Sequence, residues 1–434
     1  MMPFSVFRIW GTGLLSWAIL AAGIYCIYEW ADGMDPIVLT RDIDDAGTLE
    51  TVAVDQPAET LPDTQSSTQI PAQRVTDDGE RDRQGGWPYL TAGLLLIGTS
   101  TFGWLPVTLL LGRPGISTPR AALHAADHPA EQHVLDQPDG TRIDVQIYGP
   151  KNGPTLVFSH GWSLDRTAWG YNVCDLAKHY RLVLWDLPGL GKSKGPKNAD
   201  YSIEKMARDL DAVIRVAGKG PIVLVSHSIG GMITQTFCRL YPKQLGPRVG
   251  GIVFVHTTYT NPLRTAFLAP LWSAIERPIL VPLNHLTVWL APLAWLSNWQ
   301  SYMNGTLQIV TRFASFAGHQ TWGDVHYGSW LAAKSWPGVV ARGNLAMLEF
   351  DEQATLPAVD IPVLVIAATH DRMTKASASE RIEQLLPNGR FASVPAGHLG
   401  FWERDSEVSG LISEFAEQFE ERVPAPEKSH QVGG

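Results

Sequence analysis

Three cysteines, Cys26, Cys174 and Cys238, are the only thiols in 434 residues. They are odd in number and far apart, so the pattern supports neither a disulfide framework nor a zinc site. A surplus of positive charge is also missing. Of 43 acidic and 34 basic side chains, 13 and 4 fall between Ala31 and Gly85, and the remainder balances at 30 each. A balanced chain carries no electrostatic footprint for nucleic acid, which excludes that partner class. Charge of either sign is absent from Ile9 to Tyr28 and from Trp87 to Leu111. At about 1.5 Å per residue, each run is long enough to cross a hydrocarbon layer of about 30 Å. Trp10, Trp30, Trp87 and Tyr89 lie near the run ends, where amphipathic aromatics favour the headgroup layer.

Two membrane-spanning helices are therefore expected, within 1–30 and 86–112, with a cleaved leader as the alternative for the first. The segment between them, 31–85, is rich in Asp, Thr, Pro and Gln and poor in aromatics, and is expected to be a disordered acidic loop. Two crossings return the chain, so the amino terminus and the large carboxyl-terminal domain share a side. Arg8 beside the first run points to the cytoplasm, although Arg41, Arg74, Arg81 and Arg83 in the loop weigh against it when all flanks are counted.

From about residue 131 short β-branched runs alternate with helical patterns. Asp139-Gly140 between two strand-like segments reads as a hairpin. The runs beginning at Thr155, Arg181, Pro221, Gly251, Pro362 and Arg390 are of buried-strand type, and Ser202 to Val216, Ser377 to Leu386 and Ser406 to Phe419 are helical. That alternation predicts a mostly parallel, doubly wound α/β sheet over 131–256 and 357–421. Residues 257–356 lack a strand pattern and read as a helical insertion. The tail, 422–434, is Pro- and Gly-rich and expected to be disordered.

Ser226-His227-Ser228-Ile229-Gly230 stands between the strand-like Pro221 to Val225 and a helical stretch, which puts Ser228 on a strand-to-helix turn. An ordinary turn is the bland alternative. A sharp turn there would lift the hydroxyl off the sheet and aim the Ile229 N–H at a developing oxyanion. Phe158-Ser159-His160-Gly161-Trp162 follows another strand. Trp185-Asp186-Leu187-Pro188-Gly189-Leu190-Gly191-Lys192-Ser193 follows a third, Asp371 a fourth, and His398, in Pro395-Ala396-Gly397-His398, the last.

Together these motifs resemble the α/β-hydrolase family over about Val134 to Phe419, with Ser226 standing where the usual pattern has Gly. The resemblance implies a Ser228, Asp371, His398 triad in the family's chain order, and an oxyanion hole from the backbone N–H groups of Trp162 and Ile229. Asp186 is expected to organise backbone N–H groups. Serine at the turn excludes epoxide-hydrolase and dehalogenase chemistry, which needs Asp there. Position 256, where some relatives carry the acid, is His.

The expected function is a membrane-anchored serine hydrolase of an ester, acting through an acyl-enzyme without metal or organic cofactor. An acyltransferase, thioesterase, amidase, carbon–carbon bond hydrolase or cofactor-free haloperoxidase would use the same triad, and a non-catalytic ligand-binding module is the alternative of another class. His319 and His326 are wrongly spaced to hold a metal on one helix face. The insertion resembles the family's helical cap and carries Trp272, Trp289, Trp295, Trp299, Trp322, Trp330 and Trp336. So much apolar surface would line a pocket for an apolar acyl substrate or rest against membrane lipid, unless it simply packs on the core. No obligate protein partner is evident.

Overall fold

A computed structural model describes residues 5–32, 38–43, 49–54, 78–125 and 129–419. The chain divides into two compact units, Met1–Leu14 with Phe102–Gly434, and Leu15–Thr101. The tail, 422–434, lies outside the described residues.

The second unit contains most of helix α1 (Ser5–Asp32) and helix α2 (Asp78–Phe102). Within it α1 and α2 approach closely through glycine: a Cβ on Gly23 would come within 2.9 Å of Ile97, and one on Gly93 within 2.7 Å of Ile27. Small residues that let backbones approach are how helices pair where lipid removes the hydrophobic drive. In the segment expected to be a disordered loop, Val38–Ile43 pairs antiparallel with Leu49–Val54. The alternating Val, Leu and Thr of those stretches suit a strand. The rest of the loop, 33–37, 44–48 and 55–77, is outside the described residues.

Among the described residues one helix segment, Ile9–Asp32, is by itself long and apolar enough to cross a membrane. The second expected span is not one helix, which corrects the expectation of a continuous 86–112 element. It breaks at Gly103 into Trp87–Phe102 and α3 (Trp104–Leu111). The physical reason is a helix-weak glycine followed by a tryptophan stacked on Tyr302, with ring centroids 6.4 Å apart.

The first unit is built on eight strands: β1 (Glu131–Asp136), β2 (Arg142–Tyr148), β3 (Thr155–Ser159), β4 (Arg181–Trp185), β5 (Ile222–His227), β6 (Val249–Val255), β7 (Val363–Ala368) and β8 (Gly389–Val394). Their order across the sheet is β8-β7-β6-β5-β3-β4-β2-β1. Only β1 and β2 run antiparallel to their neighbours. Every residue of β3 to β7 is buried, as expected of a parallel sheet covered on both faces. Alternate residues go to opposite faces: Val157, Val183 and Leu224 pack with helix α4 (Ile203–Val216), while Phe158, Leu184 and Val225 pack with the carboxyl-terminal helix Asp405–Glu417.

Chain direction reverses its march across the sheet at β3. The loops after β3 and β5 therefore leave neighbouring strand ends on one rim, where such folds bind ligands. The parallel register sets Ser159 beside Ser226 and Ser226 beside Phe254, so those ends lie level. Between β6 and β7 comes the helical insertion, which includes α6 (Val281–Trp289), α7 (Ala291–Met303), α8 (Trp322–Lys334) and α9 (Pro337–Leu348); the helix after β5 is α5 (Ile229–Leu240).

Candidate active site

Ser228 sits between β5 and α5 with φ 55° and ψ −121°, a left-handed conformation that costs a side-chain-bearing residue about 1 to 3 kcal/mol. The surroundings over-determine it. Its N–H donates to Val255 O at 3.2 Å, and Thr257 Oγ1 donates to its carbonyl at 2.6 Å. A Cβ on Gly230 would come 2.6 Å from the backbone oxygen of Ser159, and one on Gly231 2.5 Å from Thr257 Oγ1. Gly230→Ala is accordingly expected to destabilise the protein by about 3 kcal/mol, since the clash is with main chain, and thermal unfolding would show it. Ser226, in place of the usual Gly, is accommodated because its hydroxyl bonds Thr234 Oγ1 at 2.7 Å inside the core.

Three residues 27 or more apart in sequence meet at this turn. His398 Nε2 is 3.0 Å from Ser228 Oγ, and His398 Nδ1 is 2.7 Å from Asp371 Oδ2. All three are buried, Ser228 being 6% exposed. Asp371 also accepts the backbone N–H groups of Met373 (2.7 Å) and Thr374 (3.0 Å), and the Thr374 hydroxyl at 2.8 Å. Burial alone would raise its pKa, but His398, His256 and these donors outweigh burial and hold it below the usual carboxylate value. An ionised Asp371 must receive the Nδ1 proton, which leaves Nε2 as the acceptor facing Ser228. That arrangement can take a proton from the hydroxyl as it attacks a carbonyl.

The His398 loop is gripped from behind. Its carbonyl accepts from His227 Nε2 at 3.0 Å and from His256 Nδ1 at 3.1 Å. Glu403 receives Gly397 N–H at 2.8 Å and ties the same loop to the N–H groups of Ala317, Gly318 and His319 in the cap. No sequence motif singles out Thr374 or Glu403 for this, nor gives His256 a role. Only the place of His256 at a strand end pointed to it.

Trp162 follows β3 and is fully buried, its indole donating to Val340 O of the cap at 3.0 Å; Ile229 opens α5 and is also fully buried. Asp186, after β4, accepts N–H bonds from Arg166 and Lys192, both 2.8 Å, and pairs with the Arg166 guanidinium. It is a loop organiser, as its sequence position led one to expect. His319 bonds Arg404, and His326 bonds Tyr302. Among the described residues no three His, Cys, Asp or Glu side chains converge as metal ligands.

Burial drives the pKa of His160 and of His256 down to about 4, so both rings are neutral at pH 7. A folded-state pKa below the unfolded 6.5 stabilises fully above pH 6.5, and the benefit is lost as pH falls toward 4. Burial also pushes Asp186, Asp209 and Asp324 up to about 6, which works in the opposite direction over that range. The effect must therefore be measured as a difference: the stability lost in His256→Gln should shrink by roughly 3 kcal/mol between pH 7 and pH 4. A penalty constant with pH would show that this ring is not kept neutral.

Strand order, the strained serine turn at the rim and the cap between β6 and β7 define an α/β-hydrolase fold. The chain belongs to the alpha/beta hydrolase fold family, whose model matches residues 154–405. It is 22% identical over 316 residues to the probable oxidoreductase EphD of Mycobacterium tuberculosis, covering 68% of this chain but 52% of that protein, so the chain spans about half the length of that relative. It is 24% identical to 3-oxoadipate enol-lactonase 1 of Acinetobacter baylyi, over 66% of this chain and 97% of that one. A thermophilic esterase from Thermogutta terrifontis has the same fold, with TM-score 0.54 and 23% identity over 67% of this chain and 100% of the esterase.

Proposed function

We propose that the protein is a membrane-anchored serine hydrolase that cleaves an ester of an apolar acyl group. The observation that carries this is the linked set of hydrogen bonds from Ser228 through His398 to Asp371, with the serine held in its strained turn. Ser228 attacks the acyl carbonyl while His398 takes its proton; Asp371 holds the imidazole tautomer and stabilises the imidazolium. The N–H groups of Trp162 and Ile229 meet the charge growing on oxygen, a contribution of about 3 kcal/mol per donor. His398 returns the proton to the leaving alcohol, and water then releases the acid. A preference for apolar acyl groups is supported by the cap's composition, with seven tryptophans from Trp272 to Trp336. Esterase and lactonase relatives agree with ester chemistry.

A fluorophosphonate probe should label the full-length protein and spare Ser228→Ala. Absence of labelling in both would favour a ligand-binding module instead.

Anchoring is assigned to Ile9–Asp32, with the glycine-mediated contact between α1 and α2 in support. Arg8 at its start favours the cytoplasmic side for the large domain, with the bent pair of Trp87–Phe102 and α3 bringing the chain back. Protease added to sealed cells should then leave that domain whole, and digestion would reverse the assignment.

A further inference from the structure

One helix pair of the cap, α6 and α7, wears its polarity inside out. No Asp, Glu, Lys or Arg occurs from Pro278 to Thr311. Within that stretch, α6 and α7 bury Asn284, Thr287, Ser297, Asn298 and Ser301 against the protein. They expose Trp289 (79%), Leu293 (48%) and Leu296 (49%). A helix on a water-facing globule does the reverse, because burying Leu and Trp is what stabilises it. The buried polar groups find partners close by: Asn284 Nδ2 donates to Leu280 O at 2.7 Å, Asn298 Nδ2 to Ala332 O at 2.8 Å, and Ser301 Oγ to Ser297 O at 2.9 Å. Small and polar residues inside, with large apolar ones outside, is the pattern of helices packed in lipid.

A second observation says what covers the exposed face. The first turns of the Ile9–Asp32 segment pack directly on this helix pair. Trp10 Nε1 donates to Thr287 Oγ1 at 2.9 Å, Thr12 Oγ1 bonds Ser301 Oγ at 3.0 Å, and a Cβ on Gly13 would lie 2.6 Å from the Ser297 side chain. Groups that touch the first turns of a membrane-crossing helix side on lie where that helix enters the lipid, at the boundary of headgroups and acyl chains. From Ala269 to Met303 the cap is also apolar enough to span, but it bends by 101° between Trp289 and Ala291 and so cannot cross straight.

We propose that the α6–α7 pair is seated at the acyl-chain boundary of the bilayer, its exposed apolar face in lipid, so that the cover over Ser228 is held at the membrane. This rests on reading Ile9–Asp32 as a membrane anchor. It makes the lipid layer itself the source from which an apolar ester reaches the cap.

The test is nitroxide labelling of the full chain, with Cys26, Cys174 and Cys238 each replaced by Ala, in phosphatidylcholine vesicles. Collision with oxygen, which partitions into lipid, is compared with collision with a nickel chelate, which stays in water. Labels at Leu293→Cys and, independently, Trp289→Cys should favour oxygen over nickel, as one at Ile24→Cys within the anchor should, while Val134→Cys on β1 should favour nickel. If Ile24→Cys is in lipid but the two cap sites favour nickel, the seated cap is overturned and the anchor stands. Shielding of the cap sites from both reagents also overturns it, since a second copy of the chain would then cover the face. An Ile24→Cys label that favours nickel sinks the anchor and the seated cap together.

Discussion

Ser228→Ala is expected to lower kcat for a carboxylic ester by roughly a millionfold, with the fold intact. The alanine keeps the small Cβ already tolerated at φ 55° and removes only the oxygen that stands 3.0 Å from His398 Nε2. His398→Ala should cost about as much, and the double variant little more, because nucleophile and base act as one unit and neither works alone. Additive losses in the two variants would mean that the hydroxyl and the imidazole serve separate steps, contrary to the proton transfer proposed here. Residual rate above that in water should survive in all three, supplied by substrate binding and backbone N–H donors.

Asp371→Asn should reduce kcat by about 10⁴ while leaving KM nearly unchanged. The amide is nearly the same size, and its oxygen can still accept from Met373 and Thr374. Its NH₂, however, would face His398 Nδ1, so the ring would turn its lone pair toward position 371 and its N–H toward Ser228. A ring in that tautomer cannot accept the serine proton. The carboxyl's low pKa gives this prediction a pH signature: in the wild type Asp371 stays ionised down through the acid range, so its stabilising effect is present above the unfolded value of about 3.9 and disappears only as pH falls through the lower folded-state value. The stability difference between wild type and Asp371→Asn should therefore be level across neutral pH and close only in strong acid, as denaturant unfolding at several pH values would measure.

Much of the site is visible in the primary structure for a simple reason. A doubly wound sheet buries its strands on both faces, so each strand announces itself as a β-branched apolar run, and ligand chemistry gathers just after those runs. Ser228, Asp371 and His398 each follow one, and resemblance to the α/β-hydrolase family is what singles them out. Glu403 and Thr374 left no such mark. An acid in a short helix and a threonine near a loop look like ordinary caps until the fold sets them against Gly397 and Asp371. The loop strands at 38–43 and 49–54 were missed because polar, acidic surroundings mask two short alternating segments.

The break at Gly103 has a comparable origin. Hydropathy counts apolar residues along a line and takes Trp87 to Leu111 as one element, whereas the decisive contact, Trp104 on Tyr302, joins positions far apart in the chain.

Local periodicity and turn chemistry determined the α/β class and the place of the helical insertion, and resemblance to the α/β-hydrolase family pointed to the candidate serine, acid and histidine. Tertiary structure decided which imidazole nitrogen faces the serine, why Ser226 is tolerated, how the His398 loop is held and which side of the cap is apolar. Those are matters of distance and burial between remote segments, and a linear pattern carries no information about them until the sheet brings the segments together.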